Sequence, residues 1–219
     1  MPVGLPEFAD NTENRCPVIL LLDTSASMSG EPIRQLNMGI SDFKGNLLED
    51  TQATLSVELS IITFGQIVNV IQNFTSVDEF TPPTLQTSGT TPMGEAINSA
   101  LDLLEERKMI YKDNGIPYYR PWIFLITDGA PTDDWQMAAQ RLHQKDAEGG
   151  CLFFAVGVEG ADMNTLTQIA PPNRPPALLS GLNFRELFVW LSSSMKRVSG
   201  GKVGEAIALP PVGWAQIST

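Results

Sequence analysis

Asp23, Ser25 and Ser27 stand as D-x-S-x-S directly after an apolar run, and Asp128 closes a second such run within T-D-G. Between them, Thr90 and Thr91 end the turn-rich stretch TPPTLQTSGTTP and could face the same point from a third side. Two carboxylates and three hydroxyls offer oxygen alone, with no histidine or cysteine. That donor set selects a hard cation, Mg²⁺ or else Mn²⁺ or Ca²⁺, over zinc or copper. Mg²⁺ takes six ligands and keeps water where the protein supplies fewer. With Asp23 and Asp128 as the only charged donors, the ion is expected to stay electrophilic and to hold an open position for a carboxylate from a partner protein.

Other chemistries fit these residues less well. A D-x-D phosphotransfer nucleophile would need a second aspartate where Ser25 stands, and no G-x-x-x-x-G-K-[ST] phosphate cradle occurs. Serine hydrolysis requires a nucleophile elbow and a histidine base. Ser27-Met28-Ser29-Gly30 lacks the first glycine of such an elbow. The single histidine, His143, falls mid-helix beside Gln144 and Lys145 and reads as a surface residue. A metal-dependent phosphoester hydrolase would still be compatible with two carboxylates around an open ion, but no base or nucleophile accompanies them.

Positioning these donors requires a particular scaffold. Residues 17–23 (PVILLLD), WIFLITDG and CLFFAVGV are continuous apolar runs, the pattern of strands buried on both faces. Helical spacing follows the first at Ile33, Leu36, Ile40, Phe43 and Leu47, with Pro32 in the first turn. Further helices are expected after Thr91 (Met93 to Leu104), around Trp135 to Leu142, over 162–169, and from Phe184 to Met195. Leu55, Val57, Leu59 and Ile61 alternate with Ser56, Glu58 and Ser60, predicting a strand with one drier face, and 67–74 reads as its hairpin partner after Gly65. Strand and helix in alternation predict an α/β fold, an open doubly wound, mostly parallel sheet with one antiparallel edge strand and helices on both faces. In such sheets ligands bind beyond the carboxyl ends of the strands, where strand order reverses, and D-x-S-x-S is placed there.

The 219 residues carry 14 basic and 25 acidic side chains, a net charge of −11, and 42% are apolar. This is too apolar for a disordered chain, and too acidic for unspecific binding to nucleic acid or an anionic membrane. No run of 18 apolar residues and no basic start with an apolar core occurs, so a cytoplasmic protein without membrane contact is expected. Cys16 and Cys151 open strands that the TDG strand should separate by about 10 Å, beyond disulfide reach. Three segments are expected: an N-terminal extension 1–15, a domain 16–198, and a Gly/Pro-containing tail 199–219. The tail reads either as a strap laying Leu209 and Trp214 on the domain or as a Pro-rich arm for a partner.

LLLDTSASMSGEPI, SGTTPMGEAI and WIFLITDGAPTDDW together resemble a von Willebrand factor A (vWA) domain with its metal-ion-dependent adhesion site. The resemblance spans about residues 16–197. It implies that Asp23, Ser25, Ser27, Thr91 and Asp128 hold the ion, directly or through water. Thr91 is preferred to Thr90 because the family's threonine precedes two residues and a glycine, as in Thr91-Pro92-Met93-Gly94. Within the family, DTSASMSGEPI and YYRPWIFLITDGAPTDDW resemble TerY-like tellurium-resistance proteins. These imply a non-enzymatic scaffold in a bacterial stress-response complex, with a kinase or phosphatase of the same system as partner. A structural subunit with a vestigial site is the remaining alternative.

Among neighbouring residues, Asp133 and Asp134 are expected to cap the helix that follows them, with a rim role in partner binding as the alternative. Trp122 is expected in the core and Tyr118 and Tyr119 at an interface. Met28, beside the metal loop, reads equally as a core residue or a flexible contact.

Overall fold

The structure is a computed structural model and describes residues 11–216, so 1–10 of the expected extension and 217–219 of the tail lie outside the described residues. Seven strands form one sheet in the order β3-β2-β1-β4-β5-β6-β7: β1 Cys16–Asp23, β2 Val57–Phe64, β3 Val68–Ser76, β4 Trp122–Thr127, β5 Leu152–Gly157, β6 Ala177–Leu179 and β7 Ala215–Gln216. Strands β2, β1, β4, β5 and β6 run parallel. β3 is the expected antiparallel edge, and a two-residue antiparallel pairing of β7 with β6 adds to the other. Helices α1 Glu31–Leu48, α2 Thr51–Ser56, α3 Met93–Asp113, α4 Gln136–Ala147, α5 Met163–Ile169 and α6 Phe184–Ser199 surround the sheet. None of the described helices is long and apolar enough to cross a membrane.

The pleat of β1 explains the two layers. Val18, Leu20 and Leu22 point to one face, where they meet Leu36, Ile40 and Phe43 of α1 and Phe184, Phe188 and Leu191 of α6. Ile19 and Leu21 point to the other, against Ile97 and Leu101 of α3 and Leu142 of α4. Between α1 and α6 the approach is so close that a Cβ on Gly39 would lie 2.4 Å from a ring carbon of Phe188.

Two local features depart from the sequence expectation. Leu55 belongs to α2, a short helix whose first turn is capped by Asp50 accepting the Ala53 N–H at 2.8 Å. β2 therefore starts at Val57 and is buried along its whole length, on both faces. The tail takes the strap reading, with a short pairing added. Trp214 is buried, with Leu209 packed on the same core, and the segment reaches β6.

Burial of both β2 faces forces Glu58 inside, at the amino end of the sheet. Its Oε1 accepts from Arg15 Nε at 3.0 Å, and its Oε2 from Arg107 Nη2 at 2.7 Å and Nε at 2.8 Å, with the Tyr111 hydroxyl donating to the same oxygen. Burial and the neighbouring carboxylate push the Tyr111 phenol well above its usual range.

β4 lies between the strands that Cys16 and Cys151 precede or open, and the two free thiols face opposite cores. Burial, and then the Glu58 charge, pushes the Cys16 thiol up to about 12; burial, and then Asp146, pushes Cys151 up to about 11. The thiolate is the reactive form. An aromatic disulfide reagent at pH 8 is therefore expected to modify neither cysteine in the folded protein and both in guanidinium; rapid labelling of the native state would contradict this packing.

Candidate metal centre

β1 has its chain successor β2 on one side and β4 on the other, so the loops leaving β1 and β4 part and open a crevice at the carboxyl ends of the strands. The β1 loop is held from below. Thr24 N–H donates to Phe64 O at 2.7 Å, Ser88 N–H to Thr24 O at 2.8 Å, and Ala26 N–H to Gly89 O at 3.2 Å. Gly65 lets these strands meet, since a Cβ there would lie 2.6 Å from Ser88 O.

Within the crevice Asp23 Oδ1 accepts the Ser25 N–H at 2.8 Å, which bends the chain back over the carboxylate. Oδ2 accepts from the Thr127 hydroxyl at 2.5 Å. Ser25 Oγ and Ser27 Oγ are 3.0 Å apart, and Ser27 Oγ donates to Asp128 Oδ1 at 2.6 Å. Four of the five sequence-derived residues thus form one hydrogen-bonded string across two loops. Thr91 completes the group. A Cβ added at Gly129 would lie 3.1 Å from Thr91 Oγ1 and 3.8 Å from Asp23 Oδ2, so both oxygens border the position that this glycine leaves clear. Thr91 is buried and Thr90 exposed.

The inner donors Asp23, Ser25 and Thr91 are buried, whereas Ser27 is exposed and Asp128 half-buried, giving an oxygen-lined site with a solvent-facing mouth. Burial raises the Asp23 carboxyl above its ordinary 3.8, against the lowering effect of hydrogen bonds from Ser25 and Thr127; the Asp128 charge adds to the rise. A carboxylate kept from water beside a second carboxylate is a group that a divalent cation would relieve. Among the described residues no three His, Cys, Asp or Glu side chains gather as a metal site. The donor set here is instead two carboxylates with hydroxyls, which fits a hard cation that retains some water.

Thr127, Gly129 and Thr132 were not singled out from the sequence. Strand alternation at the end of β4 is the signal that could have found Thr127, since β1–β4 pairing of Leu22 with Ile126 sets Thr127 beside Asp23. Thr132 has no such signal. Its hydroxyl accepts the Thr91 N–H at 3.1 Å, and its own N–H donates to Thr91 O at 2.9 Å.

Asp133 does not cap the helix that follows it. Its Oδ1 accepts the Gly94 N–H at 3.0 Å and its Oδ2 the Glu95 N–H at 2.8 Å, so it caps α3 from another loop, while α4 has no side-chain cap. The reason is spatial: the T-D-G loop passes over the start of α3, where Pro92 has no side chain able to cap. Asp133→Ala is expected to cost about 1 kcal/mol, read as a lower urea midpoint at unchanged slope; Asp134→Ala should leave the midpoint in place.

Two further expectations are corrected, those for Tyr119 and His143, and of the two readings of Met28 the core one holds. Met28 is fully buried beneath the loop and joins the apolar core. Tyr119 is buried, its hydroxyl donating to Gly201 O at 2.9 Å and Ser199 O at 3.1 Å; Tyr118 is half-buried against Tyr111. His143 is half-buried, with Nε2 3.0 Å from Ile169 O and 3.1 Å from Ala170 O, because α5 ends against α4. Trp122 lies in the core as expected.

A doubly wound sheet with an oxygen-lined crevice at its switch point is an α/β architecture of the kind in which ligands bind at that crevice. A sequence profile of the von Willebrand factor type A domain matches residues 18–187, and the chain belongs to that family. Solved structures share the fold. Proximal thread matrix protein 1 of the mussel byssus superposes with TM-score 0.57 at 18% identity, over 84% of this chain and 49% of its own. The ArnB paralogue VWA2 of Sulfolobus acidocaldarius gives 0.56 at 17%, over 84% and 46%. The manganese-loaded TRAP protein of Plasmodium vivax gives 0.54 at 20%, over 82% and 73%. The chain thus spans about half the length of the first two. A search of curated protein sequences returned no match.

Proposed function

We propose that the protein is a non-enzymatic interaction module that holds a divalent cation, Mg²⁺ first, on Asp23, Ser25, Ser27, Thr91 and Asp128. The observation carrying this reading is the hydrogen-bonded string from Asp23 through Ser25 and Ser27 to Asp128, with Thr91 beside Asp23. When bound, the cation supplies an electrophilic position that a carboxylate of a protein partner can fill. Domains of this family commonly serve adhesion and interaction, and one fold neighbour, TRAP, is manganese-loaded. The likeness of DTSASMSGEPI and YYRPWIFLITDGAPTDDW to TerY-like proteins supports a cytoplasmic tellurium-resistance or stress-response assembly, with a kinase or phosphatase as partner.

Calorimetric titration of Mg²⁺ and Mn²⁺ into EDTA-stripped protein tests the proposal. One saturable site is expected for each ion. Absence of binding for both would remove it. The hydrolase reading gains no support from the crevice: the single histidine is engaged by Ile169 and Ala170 at the far end of α4.

A further inference from the structure

Thr127 is buried beside Asp23 and stands outside the five candidate ligands. It ends β4, where pairing with Gly157 of β5 and the Val158 N–H donating to its carbonyl at 2.8 Å fix its backbone. Its side chain is fixed as well. The hydroxyl accepts the Gly129 N–H at 3.1 Å, so its single proton is directed to Asp23 Oδ2, 2.5 Å away. Thr127 has no exposed surface, which shields that bond from solvent.

The choice of oxygen matters. Oδ2 is the Asp23 oxygen that borders the space left clear by Gly129, where an added Cβ would lie 3.8 Å from it and 3.1 Å from Thr91 Oγ1. Oδ1 meanwhile accepts the Ser25 N–H at 2.8 Å. Each oxygen of an ionised carboxylate has about two lone-pair sites. One site on each is therefore filled before any ion arrives, and two donors from different elements hold the carboxylate in one orientation. Hard cations differ in what they ask of such a group. Mg²⁺ demands a near-ideal octahedron at about 2.0–2.1 Å, whereas Ca²⁺ gathers about six to eight oxygens at about 2.3–2.6 Å, accepts irregular geometry and takes a carboxylate through one oxygen or both. A carboxylate tied at both oxygens suits the first ion. It withholds from the second the rotation and the spare lone pair that chelation through both oxygens uses.

We infer that Thr127 sets the ion preference of this centre: by holding Asp23 through Oδ2, it favours Mg²⁺ over Ca²⁺. The inference rests on the reading of the crevice as a cation site. Thr127 is a positioning residue, acting through Asp23. The test is calorimetric titration of Mg²⁺ and of Ca²⁺, each alone, into EDTA-stripped wild type, Thr127→Val and Thr127→Ser. Valine keeps the branched shape without the hydroxyl, and serine keeps the hydroxyl. Wild type is expected to bind Mg²⁺ more tightly than Ca²⁺. Thr127→Val should lose at least about tenfold in Mg²⁺ affinity, as for an outer-shell partner, and less than about threefold for Ca²⁺, which tolerates a mobile carboxylate. The Mg²⁺-to-Ca²⁺ ratio therefore moves towards Ca²⁺, and Thr127→Ser returns it to the wild-type value. A purely structural role for Thr127 would lower both affinities together. The inference is overturned by equal losses for the two ions, by no change in Thr127→Val, or by a serine variant that behaves as the valine one. If Thr127→Val does not fold, the wild type decides: tighter binding of Ca²⁺ than of Mg²⁺ overturns the inference. Failure of the wild type to bind either ion removes the cation reading and the inference with it, whereas binding of both with an unchanged ratio in Thr127→Val removes the inference alone.

Discussion

Asp23→Ala is expected to lower Mg²⁺ and Mn²⁺ affinity by at least about 100-fold, since even outer-shell partners at metal sites are worth 10- to 100-fold. Of the two carboxylates, Asp23 is the fully buried one, and Thr127 and the Ser25 N–H fix its orientation. Its removal takes away both charge and the anchor of the string. Ser27→Ala, at the exposed rim, should cost less. The pH dependence has a definite sign. Because the Asp23 carboxyl is raised above 3.8, a proton competes with the ion, and affinity should climb with pH until that carboxyl is ionised. Without metal, the folded protein holds a proton that the unfolded chain has released. The residue's contribution to stability is therefore fullest below 3.8 and is lost as pH rises through the raised value. Thermal midpoints measured across this range should show saturating Mg²⁺ stabilising the protein more at pH 7 than at pH 4. An equal effect at both would separate Asp23 from the ion.

Glu58→Ala is expected to destabilise the fold by about 3–5 kcal/mol, the cost of breaking a buried ion pair from one side. Arg15, Glu58 and Arg107 are 1%, 4% and 7% exposed, and both guanidinium groups share the one carboxylate. Losing it removes the carboxylate that both guanidinium groups and the Tyr111 hydroxyl share. Glu58→Gln retains acceptors but not the charge and should fall between wild type and alanine. Urea unfolding of the three proteins measures the order, and a loss below about 1 kcal/mol for alanine, the level of an exposed pair, would mean that water reaches the cluster. The cluster sits at the amino end of the sheet, so metal affinity in Glu58→Ala should match wild type wherever the protein remains folded.

The long periodic segments were legible because each obeys one pattern throughout. β1, β4 and β5 are apolar runs bounded by polar residues, and α1, α3 and α6 repeat every three or four residues. Asp23, Ser25, Ser27 and Asp128 were legible as a group because they lie at or just beyond strand ends, where chain order alone brings loops together, whereas the choice of Thr91 came from the family resemblance. What escaped the reading depends on contacts between distant segments. Glu58 alternates with apolar neighbours and so reads as solvent-facing, yet α3 delivers Arg107 and Tyr111 over it. Asp133 has the right residue type in the right place for capping its own helix, and only the crossing of two loops reveals that it serves α3. β6 and β7, of three and two residues, are too short for any alternation to show.

The pairing of Thr132 with Thr91, reinforced by Asp133 on α3, fastens the two ligand-bearing loops to each other. Their ordering entropy is thereby spent when the chain folds rather than when the ion arrives. The slow event in capture should then be the ion's own shedding of water, which Mg²⁺ does reluctantly, so the rate of loading would be governed by the metal's chemistry and not by the protein's motion.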